Sequence, residues 1–292
     1  MGLHRGQRRI TNMVDDRLQD WQSRQNECLA DSPEFAKVRI GEFKGFVRRS
    51  EWSDGLKSLL NEPGRMLAQA VIVKDSPTTT VGAVALADKH VFVKRYNYRG
   101  PAYAFKNLFR SSRAKRVWQS GNSCYMRGIG VALPLAYLEW RRLRILRESY
   151  LLTAAVTGDE LSEVLARQRG NIRGKRLLIG QLARQVRQMH DRGIAHRDLK
   201  GENIIAQQYG NMRFEFRIVD FDGVRCRPVS ERTRVKNLAR LARAVAGNIP
   251  LTSADRFRLV KNYLADGDSS RWRKMYPDLL KFIRKYFKRY SR

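Results

Sequence analysis

The sequence has few cysteines and no long apolar segment. Its three cysteines (Cys28, Cys124 and Cys226) are widely spaced and form no C-x-x-C pair, so they indicate neither a disulfide framework nor a zinc site and fit a reducing cytoplasm. The longest uncharged, apolar-leaning run, residues 128–138, contains a proline and is far shorter than the roughly 18 residues of a membrane-spanning helix. The N-terminal residues lack the apolar core of a secretory signal. We therefore expect a protein that is soluble or peripheral on a membrane.

Acidic residues are scarce beside basic ones. The chain of 292 residues has 58 Lys and Arg against 28 Asp and Glu, a formal net charge of +30, and such a field attracts nucleic acid, anionic lipid headgroups or anionic substrates. Residues 89–138 contain ten Lys and Arg and no acid, and residues 271–292 contain nine beside Asp278 alone. No helix-turn-helix, zinc or RNA-binding signature accompanies the charge, so we expect no specific nucleic-acid partner.

Strand-like segments dominate the first half of the chain and helical ones the second. Short Val- and Ala-rich runs at residues 66–75, 78–88 and 90–96 predict strands. Residues 175–193 predict an amphipathic helix ended by Gly193. Its apolar face comprises Leu178, Ile179, Leu182, Val186 and Met189. Further elements are expected as a helix at about 102–127, strands near 131–139 and 149–156, and a hairpin after residue 203.

These elements predict an α+β fold of two lobes with an extension. Residues 1–50 lack sustained periodicity and are expected to be loosely structured, with one helix around residues 15–30. Residues 51–156 are predicted to form a small strand-rich lobe. Residues 157–292 are predicted to form a larger helical lobe.

A contiguous motif near residue 200 carries the clearest functional signal. The segment IAHRDLKGENII, residues 194–205, contains the catalytic-loop pattern of protein kinases, H-R-D-L-x-x-x-N, at every fixed position. A predicted helix precedes the motif. The predicted hairpin leads from it to DFDG, residues 220–223, which resembles the kinase D-F-G segment. The motif and its context predict a kinase-like enzyme.

The spacing of the motif suits phosphoryl transfer, which requires positioning and charge neutralisation. Asp198 can accept the proton of an attacking hydroxyl, and Lys200 can meet charge on the transferring phosphoryl group. Asn203 and Asp220 carry the oxygen ligands that Mg²⁺ prefers. We therefore predict Asp198 and Lys200 as catalytic residues and Asn203 and Asp220 as metal ligands.

Candidate nucleotide contacts lie in the strand-rich half. Lys94 ends the strand VFVK, like the lysine of the kinase V-A-I-K segment, which pairs with the nucleotide phosphates. The turn that corresponds to the glycine-rich loop, KDSPTTTVGAV, has only one glycine, Gly82. Its hydroxyls and amides, those of Thr78 and Thr79 among them, are candidate phosphate contacts.

The segment LLTAAVTGDEL can be aligned with the hinge that joins the lobes of a kinase. In that alignment Thr153 is the gatekeeper residue, and the backbone from Ala154 to Val156 contacts adenine. ATP and Mg²⁺ are the predicted cofactors.

Several segments narrow the kinase class. They are VFVKRYN, FRSSRAKRVW, RGIGVALPLAYLE and SYLLT, with RTRVKNLARLARAV behind Asp220. Together they resemble the bacterial lipopolysaccharide core kinases (the Kdo/heptose kinase, WaaP-like family), over about residues 52–265.

The resemblance implies an enzyme that phosphorylates a Kdo or heptose sugar of the lipopolysaccharide inner core with ATP. Its partners would be an anionic glycolipid substrate and an anionic membrane surface. The expected location is the cytoplasm, peripheral on the inner face of the cytoplasmic membrane, and we expect a monomer.

The length of the segment after Gly223 bears on the acceptor. Only about ten residues, without an A-P-E motif, separate Gly223 from the helix expected near Thr233, whereas protein kinases use a much longer segment to bind peptides. A small-molecule or glycolipid acceptor is therefore favoured. An atypical Ser/Thr protein kinase and a nucleotide-binding pseudokinase remain alternatives.

Three departures from the kinase pattern are present. The first is the loss of glycines from the loop described above, and it supports the pseudokinase alternative together with a missing Glu. No Glu lies between Lys94 and Glu139, so the usual Lys–Glu pair needs a substitute: Gln119, Asn122 or Glu139 itself. Asp222 replaces the glycine of D-F-G and is a candidate second metal ligand.

We expect structural rather than catalytic roles for two histidines near the motif. His196 is expected to pack beside the D-F-G-like turn. His190 is expected to be an ordinary helix-end residue.

The C-terminal residues predict a basic amphipathic helix. The apolar positions are Leu279, Phe282, Ile283, Tyr286, Phe287 and Tyr290, and the basic ones are Lys281, Arg284, Lys285, Lys288, Arg289 and Arg292. Such a helix either docks on the large lobe or lies in a membrane interface.

Overall fold

A computed structural model describes residues 20–21, 24–97, 100, 110–210, 213–244, 252–264 and 272–288. The chain divides into two compact units. The sheet unit comprises Ser23–Met126 and Ala132–Ala155, and the helical unit comprises Met1–Gln22, Arg127–Val131 and Val156–Arg292. The chain passes from the sheet unit to the helical unit after Ala155, and the short Arg127–Val131 segment, which no sequence signal marks, also belongs to the helical unit.

The sheet unit is built on seven antiparallel strands in the order β1-β2-β6-β7-β5-β4-β3. The strands are β1 (Phe35–Ile40), β2 (Phe43–Arg48), β3 (Val71–Ser76), β4 (Thr79–Ala85), β5 (His90–Tyr96), β6 (Pro134–Arg142) and β7 (Ile145–Ala154). Alternation along β5 buries Val91 and Val93 completely, which is the period-two pattern of a half-buried strand.

Two helices of the sheet unit are α1 (Asp54–Asn61) and α2 (Arg113–Met126). Helix α1 begins at the N-cap Ser53, whose side chain accepts a hydrogen bond from the amide of Leu56. Leu56 and Leu60 then join a core cluster with strand residues such as Val93. The expected helix at 102–127 is therefore observed as α2, and residues 101–109 lie outside the described part of the chain.

The expectation of a loosely structured extension up to residue 50 is wrong for residues 35–48. These residues form β1 and β2, and β2 pairs with β6 inside the sheet. The hairpin turns at Gly41, which has a φ of +56°. Lys37 and Arg39 occupy the exposed positions of β1 and alternate with Ala36, Val38 and Ile40. This is the period-two pattern of a half-buried strand, but it is only five residues long. Of the helix expected at 15–30, the described part contains a 3₁₀ helix at Arg24–Leu29.

Strands β6 and β7 extend farther toward their shared turn than the sequence predicts. Leu143 and Arg144 form the turn with φ values of +49° and +66°, as a two-residue hairpin with primed geometry requires. Leu143 is 88% exposed. The charged tip RRLRILRE contains no strand signal because the hairpin end lies in solvent.

The helical unit contains five short strands and five described helices. The strands are β8 (Asp159–Glu160), β9 (Ile194–His196), β10 (Ile204–Tyr209), β11 (Arg213–Ile218) and β12 (Val224–Cys226). The helices are α3 (Leu161–Arg167), α4 (Ile172–Asp191), α5 (Glu231–Ala244), α6 (Ser253–Tyr263) and α7 (Trp272–Lys288). The predicted hairpin is confirmed as β10 paired antiparallel with β11, and β9 pairs with β12.

Helix α4 confirms the predicted amphipathic pattern. Its five predicted apolar residues are all buried. Gly193, with a φ of +71°, follows the C-cap Arg192, so the helix ends as expected in a left-handed glycine. The chain then enters β9, whose end is the first residue of the kinase-like motif.

Helix α7 packs against α5 over its described portion. Met275 and Leu279 are buried, and the Lys236 ammonium lies 5.8 Å from the centroid of the Phe282 ring. Lys281 and Arg284 are exposed. The side chains of Ile283 and 285–288, and residues 289–292, lie outside the description. Across the described helices, no segment combines the length and apolarity needed to cross a bilayer.

Candidate active site

The kinase-like motif lies between β9 and β10 in the helical unit. Asp198 is exposed, and its carboxylate Oδ2 lies 4.0 Å from the Lys200 ammonium. Lys200 also pairs with Glu202 at 2.5 Å. A single 3₁₀ turn, Gly201–Asn203, then reverses the chain. The turn brings Asn203, five residues after Asp198, back to it.

Asn203 ties Asp198 to the residue that precedes Asp220. Its Nδ2 donates to the Asp198 carbonyl oxygen at 2.8 Å and lies 3.4 Å from Asp198 Oδ2. Its own carbonyl oxygen accepts from the amide of Val219 at 3.2 Å, so the residue before Asp220 is tied to the same turn. Since Nδ2 faces Asp198, Oδ1 is the Asn203 atom that suits a cation.

The D-F-G-like segment follows β11 directly. Phe221 is 1% exposed, which anchors the segment in the core. The Asp222 amide donates to Asp220 Oδ1 at 3.1 Å, and this bond orients the Asp220 carboxylate. A Cβ on Gly223 would lie 2.8 Å from His196 Cε1 and 3.1 Å from the Asp198 nitrogen. Glycine is therefore required here by close packing on the motif.

His196 links Asp198 to Asp220 through their backbones. Its Nδ1 accepts from the Asp198 amide at 3.1 Å, and its Nε2 lies 2.6 Å from the Asp220 carbonyl oxygen. An amide can only donate and a carbonyl can only accept, so these partners require a neutral ring protonated on Nε2. Burial lowers the pKa of His196, which favours the same state. The expected position of His196 beside the D-F-G-like turn is confirmed.

A second group of buried residues supports this histidine. Asn237 on α5 accepts the His196 amide through Oδ1 at 3.0 Å, and the same oxygen lies 3.2 Å from His190 Nε2. The other ring nitrogen of His190 lies 2.8 Å from the Tyr263 hydroxyl. Arg234 donates to that hydroxyl at 3.0 Å. Because Asn237 Oδ1 accepts, His190 donates through Nε2 and accepts from Tyr263.

The network corrects the interpretation of His190 as an ordinary helix-end residue. Its side chain is 1% exposed and its partners come from α5 and α6. Sequence reasoning also missed Asn237 and Tyr263. One signal was available for Asn237, an uncharged polar residue among the buried Val235, Leu238 and Ala239.

Burial lowers the pKa of His190 from 6.5 to about 4, which makes the stability of the helical unit depend on pH. The folded state binds fewer protons at His190 than the unfolded state. The free energy that neutral His190 contributes to folding is therefore fully present above pH 6.5 and is lost as the pH falls toward 4. From pH 8 to pH 5 we expect His190 to cost about 2 kcal/mol. Urea unfolding at both pH values measures this loss.

The matched variants are His190→Gln, which keeps an amide donor for Asn237 and cannot titrate, and His90→Gln, which alters an exposed histidine. The change in unfolding free energy between pH 8 and pH 5 should shrink by about 2 kcal/mol in the first variant only. Equal pH dependence in wild type and His190→Gln would contradict the prediction.

The predicted nucleotide contacts of the sheet unit lie on β5, on β4 and in the turn between β3 and β4. Lys94 is half-buried on β5, with its ammonium 5.5 Å from the centroid of the Tyr96 ring. Thr78 lies in the turn between β3 and β4, and the buried Thr79 has its hydroxyl 3.3 Å from Ser76 Oγ. A Cβ on Gly82 would lie 2.5 Å from Ala70 Cβ. Gly82 thus has a packing reason to be glycine.

The predicted hinge backbone is partly occupied by the sheet. The Ala154 amide donates to Leu133 O at 2.9 Å, and the Ala155 amide donates to His90 O at 2.9 Å. Thr153 is buried and pairs with Phe92. Val156 is half-buried at the first position of the helical unit's main segment. Adenine contacts through the Ala154 amide therefore have no support.

The three substitutes considered for the missing glutamate each have another partner. Gln119 donates to Asn26 at 2.9 Å. Asn122 Oδ1 accepts from the buried Arg48, and Glu139 pairs with Arg141 at 3.3 Å. Each of these side chains is therefore engaged with a residue other than Lys94.

A profile of the lipopolysaccharide kinase (Kdo/WaaP) family matches residues 68–263. The chain belongs to this family. The match covers the whole of the motif and network described above. The protein is accordingly a kinase, and the family's activity is lipopolysaccharide phosphorylation.

A solved structure, WaaP in complex with acyl carrier protein, is similar in fold. It superposes with a TM-score of 0.62 at 22% identity, over 82% of this chain and 98% of that chain. The likeness confirms the predicted α+β, protein-kinase-like fold.

Short segments are also similar to protein kinases. The serine/threonine-protein kinase dkf-1 of Caenorhabditis elegans is 32% identical over 84 residues, 28% of this chain and 12% of that kinase. The CBL-interacting protein kinase 17 of Oryza sativa subsp. japonica is 42% identical over 66 residues, 22% of this chain and 14% of that kinase. The chain thus matches only a small part of the length of these relatives.

Proposed function

We propose that this kinase transfers the γ-phosphoryl group of ATP to a hydroxyl of a Kdo or heptose sugar in the lipopolysaccharide inner core. One observation carries the proposal: the buried His196 holds the backbones of Asp198 and Asp220. Lys200 and Asn203 in turn contact Asp198. In a member of a lipopolysaccharide kinase family, this arrangement supplies the groups that phosphoryl transfer needs.

Asp198 is proposed as the residue that orients the acceptor hydroxyl and receives its proton. The carboxylate is exposed to an incoming substrate, and Asn203 Nδ2 fixes the backbone that bears it. The hydroxyl oxygen forms a bond to phosphorus as the bond to the ADP oxygen breaks, and the hydroxyl proton passes to Asp198. Lys200, 4.0 Å from the carboxylate, stabilises the negative charge of the transferring group.

Asn203 and Asp220 are proposed to hold Mg²⁺ with ATP. The described residues include no cluster of three or more His, Cys, Asp or Glu side chains suited to a metal. Mg²⁺ in kinases typically takes only one or two protein oxygens, with phosphates and water as the other ligands, so an Asn and an Asp fit. A bound Mg²⁺ neutralises the phosphate charge. The Asp222 amide holds the Asp220 carboxylate in place.

In the sheet unit, Lys94, Thr78 and Thr79 are proposed to bind the phosphates of ATP. Lys94 supplies the positive charge, and the turn between β3 and β4 supplies hydroxyls and amides. Gly82 remains part of the predicted set through its backbone, and close packing against Ala70 gives a further reason for glycine at this position.

The acceptor class rests on the segment that follows Gly223. Helix α5 begins at Glu231, so residues 224–230 are all that separate the D-F-G-like segment from it. β12 occupies the first three of these residues and pairs with β9. Such a short, paired segment offers little surface to a peptide, which favours a glycolipid over a protein acceptor.

We also propose peripheral attachment to the inner face of the cytoplasmic membrane. The net charge of +30 favours anionic headgroups. In the described part of α7, Lys281 and Arg284 are exposed while Leu279 is buried, so the cations of this docked helix are available to a surface.

Mass spectrometry of lipid A–core from a deletion strain and its parent tests the proposed function. We expect the deletion to remove one HPO₃ unit from a Kdo or heptose residue. A plasmid with the wild-type gene should restore the unit, and one with Asp198→Asn should not. Identical core masses in the deletion strain and its parent would contradict the proposal.

Asp220→Ala is expected to weaken ATP binding only when Mg²⁺ is present. Removing one of two protein ligands should cost about tenfold or more in affinity, measured by calorimetric titration of ATP with and without Mg²⁺. Glu215→Gln, an ion-paired residue on β11, is the control and should match wild type. Equal affinity of Asp220→Ala and wild type in Mg²⁺ would remove Asp220 from the metal site.

A further inference from the structure

A groove between α4 and α6 is lined mainly by arginines. It encloses about 420 Å³. Its lining residues are Arg173, Arg176, Leu177, Gly180, Arg184, Arg258 and Asn262. None of them belongs to the proposed kinase site, so the groove requires its own explanation.

The groove follows one face of α4. Positions 173, 176, 177, 180 and 184 have the spacing i, i+3, i+4, i+7 and i+11, which places them on a single stripe. At 1.5 Å per residue the stripe is about 16 Å long. At Gly180 an added Cβ would lie 3.2 Å from Asn262 Oδ1, so the glycine allows close approach of α6 and leaves the floor open between the arginines.

The positive charge of the groove is only partly compensated within the described residues, because Arg258 alone among its arginines has a carboxylate partner there. From residue 164 to residue 190 the chain has seven Lys and Arg and no acid. The nearby Asp255 already pairs with Lys175 at 2.8 Å and Arg258 at 3.4 Å. Among the described residues, Arg173, Arg176 and Arg184 have no carboxylate partner. Like charges at this spacing repel, so an anionic partner would stabilise the stripe.

The shape and chemistry of the lining select among anionic partners. The described lining has no aromatic ring, hydroxyl or carboxylate, the groups that would be expected to recognise a sugar. A concave groove fits a flat bilayer poorly. Three helical turns with one carboxylate per turn match its 16 Å length, since Arg binds carboxylates in bidentate pairs. Leu177 in the floor and Ile172, 61% exposed, supply apolar contact.

We propose that this groove is the docking site for an acidic α-helix of a partner protein. This is the helix-in-groove mode of recognition, with arginines on both walls to set the register. The proposal does not depend on the kinase reaction, and its test measures binding alone.

The probe is a fluorescein-labelled, 16-residue amphipathic helix with Glu at i, i+4, i+7 and i+11, followed by anisotropy in about 50 mM salt, where surface charges are weakly screened. The groove variant is Arg173→Glu/Arg176→Glu/Arg184→Glu. The control, Lys37→Glu/Arg39→Glu/Lys44→Glu, makes the same change in net charge at exposed positions of β1 and β2. We expect at least about tenfold weaker binding by the groove variant and less than about threefold by the control.

A milder variant, Arg173→Gln/Arg176→Gln/Arg184→Gln, removes charge without reversing it and should lose less peptide affinity than the first variant but more than the control. It replaces the first variant if circular dichroism shows that the first variant is poorly folded. Equal losses in groove and control variants, full binding by the groove variants, or no binding by wild type would each overturn the proposal. Vesicles of phosphatidylcholine with phosphatidylglycerol provide a last comparison. If the groove variants lose vesicle binding but keep peptide binding, the groove contacts a membrane and the proposal is overturned.

Discussion

Asp198→Asn is expected to lower phosphotransfer turnover by about 10²–10⁴-fold, the usual contribution of a positioned base. The amide keeps the shape of the carboxylate but cannot take the hydroxyl proton. The Asp198 backbone is held by Asn203 and His196, and neither bond involves the altered side-chain atom. Fold and ATP affinity should therefore be preserved. Steady-state kinetics, calorimetric ATP titration and thermal unfolding measure the three quantities.

Asp31→Asn is the matched control for this experiment. Asp31 forms an exposed ion pair with Arg49 in the sheet unit, so the same chemical change should leave turnover near the wild-type value. Loss of a general base should leave about 1% of the turnover or less. If Asp198→Asn keeps more than about half of the wild-type turnover, Asp198 is not the base and the pseudokinase alternative is favoured.

Asn237→Ala is expected to destabilise the helical unit and to loosen the backbone of the kinase-like motif. The change leaves two buried donors, the His196 amide and His190 Nε2–H, without an acceptor. Each unsatisfied buried group costs about 1–3 kcal/mol, so we expect about 2–6 kcal/mol in total. Because His196 holds the backbones of Asp198 and Asp220, faster hydrogen exchange in residues 194–203 should accompany the loss. Urea unfolding and exchange mass spectrometry measure both effects.

Asn237→Asp separates positioning from simple cavity formation. Its carboxylate oxygens can accept both hydrogen bonds, so it should recover exchange protection that Asn237→Ala loses. Its charge should also raise the pKa of His190, which is itself lowered by burial in the wild type. If Asn237→Ala shows wild-type protection in residues 194–203, Asn237 does not position the motif.

The proximity of the proposed site residues was predictable because most of them lie close together in sequence. Asp198, Lys200 and Asn203 fall within six residues, and one 3₁₀ turn is enough to bring them together. Asp220 follows after a single hairpin, formed by β10 and β11, which the sequence also predicts. Local geometry thus determines the relation of these four residues, and a motif records local geometry well.

The supporting residues were not predictable in the same way. Asn237 and Tyr263 lie 41 and 67 residues beyond His196 in sequence, and only the packing of α5 and α6 brings them to His190. No local pattern encodes such a contact. The strand β1 was missed because its alternation of apolar and charged residues is only five residues long and the sheet position of the hairpin depends on pairing with the distant β6. The packing of Gly82 against Ala70 was not predictable because that contact depends on a turn outside the strand.

Transfer of labelled phosphate from [γ-³³P]ATP to purified lipid A–core of the deletion strain is the most direct test of the proposed reaction. The wild-type protein, Mg²⁺ and ATP are incubated with this acceptor and with a generic basic protein acceptor in parallel. We predict label on a Kdo or heptose residue of the core, dependent on Mg²⁺, and none on the protein acceptor. Label on the protein acceptor alone, or on neither acceptor, would contradict the assignment of a lipopolysaccharide core sugar as the substrate.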